Sequence, residues 1–340
     1  MHDLKRTLIR YTAALGAVAL TALASHTAVA QSGLIPFKMG ISASTVSILP
    51  VYLAEAGDFY TKNGLKVEII SAEGGTRGIQ VLMSGEIQAM HVGLAPVVQA
   101  NLQGADLRLI AASINTLPFS IFATKATTPP IPKGSTIGIS TFGSETDISL
   151  SIALRQLGMT RDDVTIAQIG GTGQRLGALI AGRIDAAPLL EPAVTTAKER
   201  GFHLVLDLAA ANTPWVFDAV VVTNSELKSQ PQRLERFLKA YVEGAYKGLS
   251  DEKWAKEVIA KRFRTSDPKV IGSTYGEYVR MMARDVRPSV EGAKNVLAQL
   301  KALKLRVGSD NVNDYLSLGL MQKLTDDGFM AAMKTKYGIK

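Results

Sequence analysis

Residues 78–93 read GIQVLMSGEIQAMHVG, and residues 175–190 read RLGALIAGRIDAAPLL. An offset of 97 lays Leu82 on Leu179, Met83 on Ile180, Gly85 on Gly182, Ile87 on Ile184 and Ala89 on Ala186. Each copy reads as an amphipathic helix, a glycine and a short apolar strand. Coincidence between two amphipathic helices is the plain alternative. Against it, the surroundings repeat as well: around both copies the order is strand, polar Gly/Ser/Thr turn, helix, strand. A chain that builds one α/β unit twice, this far apart, is constrained towards two similar lobes.

The individual elements support that reading. FKMGIS (37–42), KVEIIS (66–71), IQAMHV (87–92) and LRLIAASI (107–114) read as strands, with helices between them. After TTPPIPKG (127–134), a turn-rich break, the pattern restarts with TIGIS, VTIAQI, DAAPLL and HLVLDL. Strands alternating with helices over short turns argue for a mostly parallel sheet flanked by helices in each lobe. Two extended runs, near 119–125 and 217–223, flank the second repeat and read as crossings between lobes. Beyond them the chain is nearly all helical. The expected division is 31–121 and 221–340 for the first lobe with its C-terminal helices, and 122–220 for the second.

Residues 1–30 read as a signal peptide. Lys5, Arg6 and Arg10 precede the apolar run YTAALGAVALTALA, and Ala28 and Ala30 give a small-x-small cleavage pattern before Gln31. An uncleaved anchor is the alternative, but the run is shorter than the ~20 residues a bilayer needs. The expectation is export to the periplasm without stable membrane insertion. There is no cysteine, so disulfides, thiolate catalysis and thiolate metal sites are excluded. The net charge is +8, or +6 once the three basic and one acidic residues of 1–30 are removed. That excess is mild and dispersed, with KRFR at 261–264 its densest cluster, so it does not form a nucleic-acid footprint. It favours small anions.

LPVYLAEAGDFYTKNGLKVEII, SGEIQAMHVGLAPVVQANLQGADLRLIAAS and AGRIDAAPLLEPAVTTAKERGFHLV resemble three blocks of the periplasmic substrate-binding proteins of nitrate, sulfonate and taurine ABC importers. Thiamine-pyrimidine precursor proteins belong to the same superfamily. The resemblance covers residues 37–250 and implies a type II periplasmic-binding-protein fold, with two lobes joined by crossover strands. It also implies a monomeric, non-catalytic receptor for a small molecule, with an ABC permease as partner. Gln88 departs from the family's usual Asp, which is kept at Asp185. Gln88 retains hydrogen-bonding capacity and loses the charge.

Ligands of open α/β sheets sit beyond the carboxyl ends of strands, where helix N-termini offer free N–H groups and partial positive charge. Turns of that kind occur at 42–47, 74–76, 93–96, 141–144 and 170–173. From them and their surroundings the expected ligand-binding residues are Ser44, Thr45, Thr76, Arg77 and Ala95 in the first lobe and Thr141, Phe142, Ser144 and Thr172 in the second. Asn115 and Trp215, near the crossings, complete the set. Simple helix capping is the alternative for the hydroxyls. A solvated helix turn is the alternative for Arg77, and core packing for Trp215. His91 reads as a satisfied core histidine, and Glu191 as a helix-terminal residue. His91 and His203 fall in separate strands, so neither a metal nor a cofactor is expected. Ser225-x-x-Lys228 lacks its companion motifs, and GTGQRLG is not a dinucleotide fingerprint. An enzyme of pyrimidine precursor synthesis on the same fold, and a receptor serving a sensor, remain as alternatives.

Overall fold

The computed structural model describes residues 33–340; the expected signal peptide and a start at Gln31 lie outside them. The strands are β1 (Ile35–Ile41), β2 (Leu65–Ser71), β3 (Ala89–Val92), β4 (Leu107–Thr116), β5 (Ser120–Ala123), β6 (Thr136–Ile139), β7 (Thr165–Gln168), β8 (Ala186–Leu189), β9 (His203–Asp207) and β10 (Pro214–Thr223). The helices of the two repeats are α1 (Leu49–Ala56), α2 (Gly75–Met83), α3 (Leu94–Leu102), α4 (Glu145–Gln156), α5 (Thr172–Ile180) and α6 (Ala193–Glu199). The C-terminal ones are α7 (Pro231–Ser250), α8 (Glu252–Phe263), α9 (Pro268–Met281), α10 (Val290–Ala302), α11 (Gly319–Asp326) and α12 (Phe329–Tyr337).

Two five-stranded sheets result, in the orders β2-β1-β3-β10-β4 and β7-β6-β8-β5-β9. Each has one antiparallel member. β10 runs against β3 and β4, and β5 runs against β8 and β9. These two are the strands by which the chain crosses over: β4 of the first sheet leads into β5 of the second, and β9 of the second leads into β10 of the first. The expected boundaries at 121 and 220 need correcting. Position 121 lies inside β5, already in the second sheet, and 220 lies inside β10, already back in the first. Both strands are buried along most of their length, so continuous apolar runs masked where one sheet ends and the other begins.

The 97-residue echo has a packing basis. Helices α2 and α5 and strands β3 and β8 start at that offset. In each lobe the isoleucine after the repeated glycine caps a glycine in the first strand. A Cβ on Gly40 would lie 2.5 Å from Ile87 Cδ1, and one on Gly138 would lie 2.6 Å from Ile184 Cδ1. The residue after each isoleucine ties the same strand. Gln88 Oε1 accepts from Lys38 N at 2.7 Å, and Asp185 Oδ2 accepts from Thr136 N at 2.7 Å. The departure from Asp at Gln88 is therefore tolerated because the job needs an acceptor and not a charge. Gly85 and Gly182 both have positive φ, at 80° and 65°, which a glycine adopts without strain.

The second lobe has a small core of its own, including Phe122, Leu179, Ile184 and Leu189. The C-terminal helices cover the first lobe. Gly244 of α7 lets that helix approach α1 so closely that a Cβ there would sit 2.5 Å from Ala54 N. Among the described residues no helix is long and apolar enough to cross a membrane.

Candidate functional site

The carboxyl ends of the parallel strands of both sheets converge on one cavity of about 40 Å³, room for a few waters by volume. All five polar turns contribute to it: Ser42, Thr45 and Ser47; Gly74 and Gly75; Gly93; Ser144; Thr172. Phe119, in the first crossing, and Phe217, on β10, close one side as an edge-to-face pair with centroids 5.1 Å apart. The lobes touch around it. Thr76 Oγ1 donates to Phe142 O at 3.0 Å, and Val46 N donates to Glu191 O at 3.0 Å.

Of the expected binding residues, Thr45, Ser144 and Thr172 line the cavity. None of the three hydroxyls caps its helix. Thr45 Oγ1 pairs with Ser47 Oγ at 2.9 Å, and Ser144 Oγ sits within 2.9 Å of both Ser140 Oγ and Thr146 Oγ1. Thr172 Oγ1 accepts from Arg175 Nη2 at 2.9 Å. Hydroxyl clusters of this kind can reorient their protons to suit a ligand.

The other expected residues stand elsewhere. Ser44 is exposed and pairs with Tyr52 OH at 3.0 Å. Arg77 is exposed on α2. Thr76 spends its hydroxyl on the other lobe's backbone. Thr141 packs on Gly74 across the interface, and its buried Oγ1 has no hydrogen-bond partner. Phe142 is 48% exposed, with its N–H held by Gln168 Oε1. Asn115 clamps the segment before α10 by donating to Arg287 O at 2.8 Å and accepting from Ser289 N at 2.9 Å. Trp215 is fully buried core, its backbone pressed against Gly292.

Three charged residues in the cavity wall were missed by sequence reasoning: Arg175, Glu145 and Asp218. Arg175, on α5, is 1% exposed and donates to Pro188 O, Gly170 O and Thr172 Oγ1. Burial pulls its guanidinium down to about 9, and the charge of Glu73 partly opposes this. Glu145 opens α4 in the second lobe but reaches into the first. Its Oε1 accepts from Ala95 N at 3.0 Å, and its Oε2 accepts from the Trp215 indole N–H at 2.9 Å. So the backbone N–H of Ala95 and the Trp215 ring, both expected to hold ligand, hold a protein carboxylate. Burial pushes the Glu145 carboxyl up to about 8, against the lowering effect of those two hydrogen bonds. Asp218 on β10 pairs with His91 Nδ1 at 2.6 Å, and His91 Nε2 meets Tyr241 OH at 2.7 Å. His91 is thus a satisfied core residue. Glu191 accepts from Thr195 N and Oγ1 at the start of α6, and burial raises its carboxyl. The one signal that pointed at Arg175 was the repeat itself, because its counterpart in the first copy is Gly78. Among the described residues no cluster of three or more His, Asp or Glu is placed to hold a metal ion.

Two mixed sheets that exchange a strand each and close over a cavity at their carboxyl ends define a two-lobed molecule with the periplasmic-binding-protein fold. The chain belongs to the NMT1/THI5-like family, whose model matches residues 45–251. Similar solved structures include a protein of Bordetella bronchiseptica RB50 (TM-score 0.76, 18% identity, covering 86% of this chain and 97% of that one). The nitrate-binding protein NrtA of Synechocystis PCC 6803 has a TM-score of 0.70 at 14% identity, covering 86% and 89%. The alkanesulfonate-binding protein SsuA of Xanthomonas axonopodis pv. citri, bound to MOPS, has a TM-score of 0.68 at 17% identity, covering 83% and 98%. No curated protein sequence matches the chain. At such identities these neighbours show the fold they share with this chain.

Proposed function

We propose that this chain is the exported, non-catalytic substrate-binding component of an ABC importer, working in the periplasm as a monomer. It captures a small organic anion, a sulfonate or carboxylate, between its lobes, and the closed form engages the permease. The observation that carries the anion is Arg175: a buried guanidinium on the cavity wall whose three hydrogen bonds all go to neutral acceptors. A buried cation without a counter-charge is costly, and an anionic ligand would offset that cost. A receptor rather than an enzyme is supported by His91, whose two ring nitrogens are both engaged by Asp218 and Tyr241.

The test is a melting-temperature panel of nitrate, sulfonates, aliphatic and aromatic carboxylates, and neutral amides and alcohols of matching shape. A ligand at 100 times its Kd adds about 2.7 kcal/mol to stability. The expected result is a shift with at least one anion and none with its neutral isostere. A neutral isostere that shifts the melt equally removes Arg175 as the anchor, and a flat panel removes the receptor reading.

A further inference from the structure

Glu145 belongs to the second lobe but is bonded to the first. It opens α4 against α3 and is 7% exposed. Both carboxyl oxygens accept from first-lobe donors, Oε1 from Ala95 N at 3.0 Å and Oε2 from the indole of fully buried Trp215 at 2.9 Å. A Cβ on Gly93 would collide with both Glu145 Oε1 and Phe217 O, so glycine there leaves the carboxyl room beside a carbonyl. Other polar ties between the lobes are of a different kind. Thr76 to Phe142 O, Arg155 Nη2 to Gln299 Oε1 at 2.6 Å, and Lys269 to Glu199 at 3.7 Å lie at the surface. Val46 N to Glu191 O joins two backbones, and the Glu191 carboxyl stays with Thr195 of its own lobe. None of these takes a carboxyl out of water as the lobes meet.

Parting the lobes would remove both donors and admit water to the carboxyl. Water solvates a carboxylate better than two neutral donors in a dry seam, so the open form favours the charged group. The closed form favours the neutral acid, whose carbonyl oxygen accepts and whose hydroxyl has the Phe217 carbonyl beside it. Burial accordingly pushes the closed-state carboxyl up to about 8, and the charge of Asp218 on β10 adds to the rise. Asp218 is held by His91 of β3, with Tyr241 of α7 behind it. The remaining charges around the group are Arg175 of α5 and, beyond it, Glu73 after β2, with Asp147 of α4 paired to Arg161. Helix α3 carries no titratable residue, and those of α10 behind Trp215 (Glu291, Lys294 and Lys301) are exposed.

We propose that Glu145 is a proton-operated latch: closing the lobes draws one proton from solvent onto its carboxyl, and losing that proton favours opening. This rests on the reading of the molecule as two lobes that close on a ligand, and adds what sets the closed fraction before a ligand arrives. The sign follows from a closed-state value raised above that of a solvated carboxyl. The latch is at full strength below about pH 4.5, weakens about tenfold per pH unit as pH rises, and levels off above about 8. Apparent affinity for any ligand of the closed form follows the closed fraction, so capture strengthens as the medium acidifies.

The experiment is hydrogen exchange of the Trp215 indole N–H in the ligand-free, unaltered protein, followed by NMR from about pH 5 to about pH 9. Each rate is divided by the intrinsic rate at that pH. The indole bond spans the seam, so its exchange counts openings even where they are rare. Trp254→Phe, on α8, identifies the Trp215 signal by removing the other indole. Protection should fall about tenfold or more between pH 5 and pH 8, then level off. In Glu145→Gln, which does not titrate, it should vary by less than about threefold. A flat profile in the unaltered protein, or an equal fall in Glu145→Gln, overturns the latch and leaves the receptor standing. A pH-dependent latch in a protein that answers no ligand of the melting panel removes the receptor alone. Should Glu145→Gln fail to fold, the profile of the unaltered protein decides: a fall that levels off above about pH 8 keeps the latch, and a flat line overturns it.

Discussion

Glu145 makes the ligand-free protein sensitive to pH in a direction opposite to most carboxylates. Its folded value of about 8 lies above the ordinary 4.5, so the folded state holds a proton that the unfolded chain has already lost between those two values. Stability from this group is therefore full below about pH 4.5 and falls as pH rises towards 8. Comparing urea midpoints of the unaltered protein and Glu145→Gln at pH 5 and pH 8 isolates the effect. The difference should move by a few kcal/mol against the unaltered protein at pH 8. An unchanged difference would mean that the carboxyl titrates normally. A neighbouring test concerns Ser144. Its hydroxyl does not cap α4, and Ser140 and Thr146 keep each other at 2.9 Å without it. Ser144→Ala should lose about 1–3 kcal/mol of ligand affinity while the ligand-free melting temperature moves little. A loss of stability with affinity intact would restore the capping role. Sequence reasoning reached Ser144 because a polar turn before a helix is a local pattern. It missed Glu145 and Arg175 because both look like ordinary charges on a helical face. Only the packing of α4 and α5 beneath the other lobe reveals that neither has a counter-ion.

The strands, helices and turns were readable because apolar period and glycine spacing are properties of a few adjacent residues. What could not be read was which sheet each strand would enter, since β5 and β10 are both buried along most of their length and carry no mark of their neighbours. Asn115 shows the same limit: its partners are 172 and 174 residues away. The repeat supplies two checks. Gly138→Ala should cost about 1–3 kcal/mol, because the new methyl meets Ile184 Cδ1 at 2.6 Å. Adding Ile184→Val removes that atom, so the double variant should cost less than the two single changes together; strict additivity would show that the contact is not the cause. Gln88→Ala should cost about 1 kcal/mol by freeing Lys38 N, with Gln88→Glu near neutral. Equal losses in both would contradict a role as acceptor.

Closure rests on few polar ties between the lobes, and one of them is open to mutation. Thr76→Val removes the hydroxyl that holds Phe142 O and keeps the shape. The ligand-free variant should show a larger radius of gyration by X-ray scattering, returning to the closed value when ligand is saturating. No change in either state would place the closing force elsewhere. The strand exchange has a consequence for biosynthesis. In the first sheet, β4 has β10 as its neighbour, and β10 begins 98 residues after β4 ends, with the second lobe in between. The second lobe is contiguous from β5 to β9, and those two strands pair with each other. It can complete itself as the chain emerges, while β4, apolar and without its neighbour, must wait. During that interval LRLIAASINT is an open edge, a template for association with other chains. Whatever carries the newborn polypeptide has this stretch and the facing edge of β3 to shield, and the obligation ends when Pro214–Thr223 slots in between them.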